Sequence, residues 1–272
     1  MTLLDSTAVY PPEHHVLRDL AIDVQPGRTV NRAWMNVHEH LCNENGRVHT
    51  GLVATLVDAI CGGLAAVTAQ PGWIATADLT LHVAKPIEGD VVSAVARVRR
   101  SGRTTIVLEA EVFVNDDESS PVAVSTATFQ VLERRQMNPT LVGDLSDDEP
   151  RRPFVEGAKR FLQPAYDACG FERLDDERVQ VLTAPYILNS LGGIQGGILA
   201  SLADAATVNA LGHPFETVDL HLTYLSLAKV GPVVAAAVPR ERRDDYGACS
   251  VELFDTGAGR VTTRAETIGV CW

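Results

Sequence analysis

NENGRVHTGLVATLVDA, Asn43 to Ala59, decides how the rest of the chain is read, because it occurs twice. NSLGGIQGGILASLADA, Asn189 to Ala205, lies against it without a gap, each matched pair 146 residues apart. In both copies an Asn is followed six residues later by His49 or Gln195. A pair containing glycine comes next, Thr50–Gly51 or Gly196–Gly197, and an aspartate stands nine residues after the His or Gln, Asp58 or Asp204. Downstream, ATADLTLHVAKPIEGD matches ETVDLHLTYLSLAKVGP, with Thr76 against Thr217 and Asp78 against Asp219. The spacing there is 141 residues, so the connection after the helix is five residues shorter in the second copy. A period this long is not that of a solenoid; it is a duplicated domain.

Working outward, the turn pair of each copy leads into a run with helical spacing, LVATLVDAICGGLAAV and ILASLADAATVNAL. Four strand-like segments follow in each copy. They are WIATADLTLHV, VVSAVARVRR, TTIVLEAEVFV and PVAVSTATFQVL in the first, and TVDLHLTYLSL, VVAAAV, YGACSVELF and RVTTRAETIGV in the second. Alternation of apolar and polar residues and β-branched enrichment mark strands. One long helix followed by a meander predicts an α+β fold, an antiparallel sheet wrapped around a helix, made twice. The acidic, proline-containing stretch Asn138 to Pro153 reads as the linker, with one domain over 1–137 including an N-terminal extension and another over 154–272.

Composition excludes several classes. With 46% apolar residues, 21% charged and a net charge of −12, the chain falls in the globular range and outside the collagen-like, disulfide-scaffold and disordered classes. The acidic balance argues against nucleic acid as a partner, since such binding rests on neutralising phosphates. The N-terminus lacks the basic segment and long apolar run of a secretory signal. The apolar window Leu52 to Ala69 carries Asp58 and several small residues, so no membrane span is expected. Five scattered cysteines without a C-x-x-C read as reduced thiols, and the expected location is cytoplasmic. No G-x-S-x-G, Walker A or G-x-G-x-x-G sequence is present, which removes the main support for serine-hydrolase, nucleotide-hydrolase and dinucleotide-binding readings.

The motif G-x-x-H/Q-x-G-x-x-x-x-L-x-D, followed by a strand opening D-L and closing A-K, resembles the hotdog-fold acyl-CoA thioesterases, PaaI-like branch. The resemblance covers roughly residues 30–132 and 170–270 and implies a tandem double hotdog. It also implies an acyl-CoA substrate, no metal or redox cofactor, sites formed across the paired copies, and further pairing of chains into a homo-oligomer.

The residues suit that chemistry. Asp58 and Asp204 each sit in an apolar helical run, where a carboxylate is costly unless hydrogen-bonded or paired. Each is a candidate base that activates water, or a nucleophile that attacks the thioester carbonyl; the sequence leaves both open. The helix start before it offers unpaired N–H groups to a developing oxyanion. The resemblance assigns that donor to Thr50 and Gly196. Thr50 departs from the usual glycine, and a β-branched residue is unsuited to positive φ, so a differently shaped first-copy turn is expected. The resemblance further makes Asn43 and Asn189 carbonyl- or water-positioning groups, and Thr76 and Thr217 water-orienting hydroxyls, positions that an ordinary turn or strand also explains. His49 and Gln195 share one slot with different chemistry and are taken as orienting groups. Mixed sites follow by resemblance: Asn43 and Thr50 with Asp204 and Thr217, and Asn189 and Gly196 with Asp58 and Thr76.

Coenzyme A also brings phosphates. Arg99, Arg100 and Arg103 in RVRRSGR, and Arg242 and Arg243 in PRERRDD, fall at the turn between the same two strands of their copies. Arginine suits bidentate phosphate contacts; a solvated hairpin tip is the plainer explanation. His38, His40 and Cys42 alternate as a metal set would, but the second copy has no counterpart, and no metal site is expected. The functional expectation is a thioester hydrolase. The alternative is a hotdog protein that binds or senses acyl-CoA without cleaving it.

Overall fold

The computed structural model describes residues 10–134 and 146–272. The chain begins with a four-residue helix α1 (Val16–Asp19) and strands β1 (Asp23–Gln25) and β2 (Val30–Asn36). Helix α2 (Thr50–Thr68) follows, then β3 (Trp73–Val83), β4 (Val91–Ser101), β5 (Thr105–Val114) and β6 (Ala123–Leu132). After β7 (Arg152–Pro153) the order recurs. Helix α3 (Ala165–Ala168), β8 (Phe171–Arg173) and β9 (Arg178–Val181) precede helix α4 (Gly196–Leu211). The chain closes with β10 (Glu216–Tyr224), β11 (Val233–Arg242), β12 (Tyr246–Asp255) and β13 (Arg260–Val270).

Among the described residues the strands form one sheet, ordered β7-β1-β2-β4-β5-β6-β3-β10-β13-β12-β11-β9-β8. The first copy supplies β1 to β6, the end of the linker supplies β7, and the second copy supplies β8 to β13. The copies join where β3 pairs antiparallel with β10, and there Thr80 lies opposite His221, the equivalent position of the other copy. The helices show the same two-fold relation. Thr55 Oγ1 and Ser201 Oγ, again equivalent positions, are 3.1 Å apart where α2 and α4 cross. This is a tandem double hotdog.

The repeated Gly51 and Gly197 make that crossing possible. A β-carbon on Gly51 would lie 2.4 Å from Cα of Ser201, and one on Gly197 would lie 2.4 Å from Cα of Thr55. These glycines therefore stand in the first turn of their helices for close approach. Neither they, nor Thr50, nor Gly196, has a positive φ. The expected backbone difficulty at Thr50 is thus corrected: the residue is helical, and its side chain is what differs.

Helix α2 is apolar nearly all round because it is enclosed nearly all round, by strands of its own copy and by α4. It is long and apolar enough to cross a membrane, yet most of it is buried inside the protein. Leu52, Leu56 and Leu64 are fully buried, each worth roughly 1.5–3 kcal/mol relative to exposure. The strand segments read from the sequence are observed, with β10 ending at Tyr224. The short elements α1, α3, β1, β2 and β7 to β9 were not anticipated. Of the expected linker, Asn138 to residue 145 lies outside the described residues. Its later part packs on the first copy: Asp147 Oδ1 accepts the N–H groups of Arg28 and Thr29, and Arg152 and Pro153 pair with β1.

Candidate active site

Asp58 is set two turns into α2, and each of its oxygens is held from a different direction. Oδ1 accepts the Thr76 hydroxyl at 2.9 Å, and Oδ2 accepts the N–H of Gly197, from the other copy, at 3.0 Å. Thr76 reaches it because β3 carries a bulge. The register with β6 jumps between Thr76 and Asp78, so these residues, two apart, do not share a face. Thr76 turns to the helix, while Asp78 turns away and meets His221 at 3.1 Å. The second copy repeats the device between Thr217 and Asp219, and Asp219 meets His82 at 2.7 Å.

Burial pushes the Asp58 carboxyl up to about 6, opposed by the hydrogen bonds from Thr76 and Gly197. The carboxylate is therefore available at neutral pH. Gly196, the first residue of α4, lies against it. A β-carbon there would come 3.1 Å from one carboxylate oxygen, 3.2 Å from the other and 3.2 Å from the Thr76 hydroxyl. Glycine leaves this space open, and its N–H belongs to the donors a helix leaves unpaired at its start. The Tyr224 hydroxyl donates to the Gly196 carbonyl at 2.8 Å and ties the turn to β10.

Asp58, Thr76, Asn189, Gln195 and Gly196 line one cavity of about 480 Å³, whose remaining walls are largely apolar. Trp73, Phe129 and Leu132 contribute from the sheet, Gly62 and Ala66 from α2, and Leu17 from α1. Gln195 Oε1 is buried there without a partner among the described residues. Asn189 forms its own turn: Oδ1 accepts the N–H groups of Leu191 and Gly193, and Nδ2 donates to the Ile194 carbonyl. Asn43 does likewise for Asn45 and Arg47.

Four of the other five candidates, Asp204, Thr50, Thr217 and His49, meet elsewhere. Asp204 Oδ2 accepts the Gly51 N–H at 2.9 Å, so the backbone contact is reproduced. The Thr50 hydroxyl donates to the Thr217 carbonyl at 2.5 Å, and the Thr217 hydroxyl has no partner among the described residues. The Asp204 carboxylate instead accepts the hydroxyl of Tyr166, whose ring lies over His49 with centroids 4.2 Å apart.

The arginines are at the hairpin tips. Arg99 pairs with Glu109, whereas Arg100 and Arg103 are exposed and make no ion pair among the described residues. Arg243 pairs with Glu241, and Arg242 lies over the Phe215 ring. Thr105, beside the first tip, is opposite Gln130, which lines the cavity. Tyr246, beside the second tip, is opposite Val270, itself opposite Glu216 and next to Thr217. Each cluster therefore lies toward the end of the sheet where one of the two aspartates lies. His38 and His40 stack edge-on, and no group of three metal-ligating side chains occurs among the described residues.

The profile of the thioesterase superfamily matches residues 45–120. Acyl-coenzyme A thioesterase 13 of Mus musculus is 27% identical over 129 residues, 41% of this chain and 92% of that protein. A conserved protein with a hotdog fold from Alicyclobacillus acidocaldarius superposes over 94% of this chain and 97% of its own, with TM-score 0.62 and 16% identity. The first copy therefore carries a thioesterase-superfamily match, and the chain as a whole shares the hotdog fold. Its double arrangement is shared too, since the 12:0-ACP thioesterase from Umbellularia californica superposes over 88% of this chain and 93% of its own (TM-score 0.60, 10% identity).

Around these two aspartates, sequence reading missed Leu17, Tyr166 and Tyr224. The signal for Tyr224 was present: the strand alignment sets it against Val83, a difference between the copies. Tyr166 and Leu17 come from segments with no visible repeat. Both occupy the second position of a four-residue helix that ends in a positive-φ residue, Ala21 or Gly170, which identifies them as counterparts.

Proposed function

We propose that this chain hydrolyses acyl-CoA thioesters to a free acid and coenzyme A, at the cavity that holds Asp58. The observation that carries the reading is Asp58 itself: a buried carboxylate, its two oxygens held by Thr76 and Gly197, at an apolar cavity beside the start of α4. The thioester carbonyl oxygen accepts from the Gly196 N–H, which stabilises the charge developing on it. Ionised Asp58 then removes a proton from the attacking water, or attacks the carbonyl carbon to give an anhydride that water cleaves. In either case the carbon–sulfur bond breaks and the thiol of coenzyme A leaves. Thr76 keeps Asp58 oriented, and Gln195 offers an unused acceptor in the wall. The acyl group occupies the apolar part of the cavity.

Arg100 and Arg103 support the same reading, since they put cations without an ion pair among the described residues near the end of the sheet that lines the cavity, suited to the phosphates of coenzyme A. The motif around His49 and Gln195 supports placement in the PaaI-like branch. Five free cysteines fit a reducing cytoplasm. A panel of acyl-CoA esters with a thiol reagent tests the proposal: release of free thiol, lost in Asp58→Asn, is expected. Binding without release would point to a non-catalytic acyl-CoA-binding protein.

A further inference from the structure

Tyr166 is packed as a ligand is packed. Its ring lies between His49, at 4.2 Å between centroids, and Phe171, at 5.0 Å. Its hydroxyl donates to Asp204 Oδ2, the same oxygen that accepts the Gly51 N–H. A β-carbon on Gly51 would come within 2.5 Å of the phenol oxygen, so that oxygen lies directly at the start of α2. In the other half, the equivalent ground beside Asp58 and the start of α4 faces the cavity, and Leu17 stands where Tyr166 stands. Burial and the Asp204 carboxylate push the Tyr166 phenol well above its ordinary range, so it remains a donor.

The geometry points to Tyr166 as a tethered, resident ligand of the second site, which is a latent binding site for a neutral phenol. Calling the first cavity the working one rests on the proposed thioesterase reading; the occupancy of the second by a phenol does not. Asp204 supplies the acceptor, His49 and Phe171 the stacking walls, and Gly51 the open floor. Thr50 adds a side chain where Gly196 leaves space, so the second half is closed from two sides.

The test is to remove the tether and supply the ring. Tyr166→Gly should bind p-cresol at one molecule per chain in calorimetry, with a rise in Tm. The wild-type protein and Tyr166→Phe, whose rings still fill the site, should bind none there. Should the glycine variant unfold on its own, millimolar p-cresol in the refolding buffer should restore the cooperative melt. Equal p-cresol binding by wild type and Tyr166→Gly would overturn the inference. So would a folded glycine variant that binds none, or an unfolded one that p-cresol does not restore. None of these readings involves a thioester. If the acyl-CoA panel gives neither binding nor release, the thioesterase reading fails while this test still decides its own question.

Discussion

The two halves share a backbone and a carboxylate, yet one carboxylate faces a cavity and the other faces a phenol. Asp58 and Asp204 both accept an N–H from the opposite helix, at 3.0 and 2.9 Å. Both lie beside a strand bulged at the same place. Four exchanges around the aspartates separate them: Leu17 for Tyr166, Gly196 for Thr50, Gln195 for His49, and Tyr224 for Val83. The helix crossing and the bulges belong to the shared fold, and a few side chains decide which half has room for a substrate. The contrast also separates two uses of glycine. Gly51 and Gly197 are needed in both halves because the helices touch there, whereas Gly196 is needed only where the carboxylate must stay accessible.

The contrast breaks most completely at Asp58. Asp58→Asn should lower kcat by about 10²–10⁴ without loss of fold, since an amide can accept from Gly197 and donate to Thr76. It should even raise Tm. The native carboxyl titrates near 6, above its ordinary value of 3.8. Its contribution to stability is therefore fully present below pH 3.8 and lost as pH rises through 6. At pH 8 the ionised buried group costs about 1–3 kcal/mol, which the amide removes. Thermal melts at pH 8 and steady-state rates check both halves of this prediction.

Gly196→Thr makes the open site resemble the closed one. The added side chain crowds Asp58 and Thr76, and kcat/KM should fall by roughly 10², with the melting curve nearly unchanged. A pH profile gives a smaller effect. On the proposed mechanism the ionised form of Asp58 does the chemistry, so kcat should decline about tenfold per pH unit below pH 6 and level off above it. An optimum on the acid side would oppose the carboxylate role.

The smallest expected effect concerns the arginine tips. Arg100→Ala with Arg103→Ala should raise KM for acyl-CoA by roughly 2–5-fold, as exposed contacts of this kind do. A truncated thioester lacking the nucleotide should be unaffected. The same changes at Arg242 and Arg243, on the side of the closed site, should leave KM alone. Equal effects at both tips would remove the distinction between the halves.

Much of this was legible in the sequence, and the reasons differ by element. The duplication showed because Asn, His or Gln, Gly and Asp recur at one spacing. The long strands showed because ten or eleven residues are enough for alternation to stand out. β1, β8 and the helices α1 and α3 are three or four residues long, too short for any period. The bulges were invisible, since an extra residue changes facing without changing composition. Thr50 was recognised as odd, but for a backbone reason; the actual reason, its side chain beside the second site, needed the packing of α2 on β10. Tyr166 could not be found from the repeat, because its segment is not visibly repeated. The aspartates were found individually, whereas the difference between them is a property of their neighbours.

The central claim is that each chain has one working site. Titration with a non-hydrolysable acyl-CoA thioether counts sites directly, with calorimetry as the readout. The account predicts one molecule bound per chain in the wild type and in Asp204→Asn, and much weaker binding in Gly196→Thr. Two molecules per wild-type chain, or one that is lost on changing Asp204 and kept on changing Gly196, would contradict it.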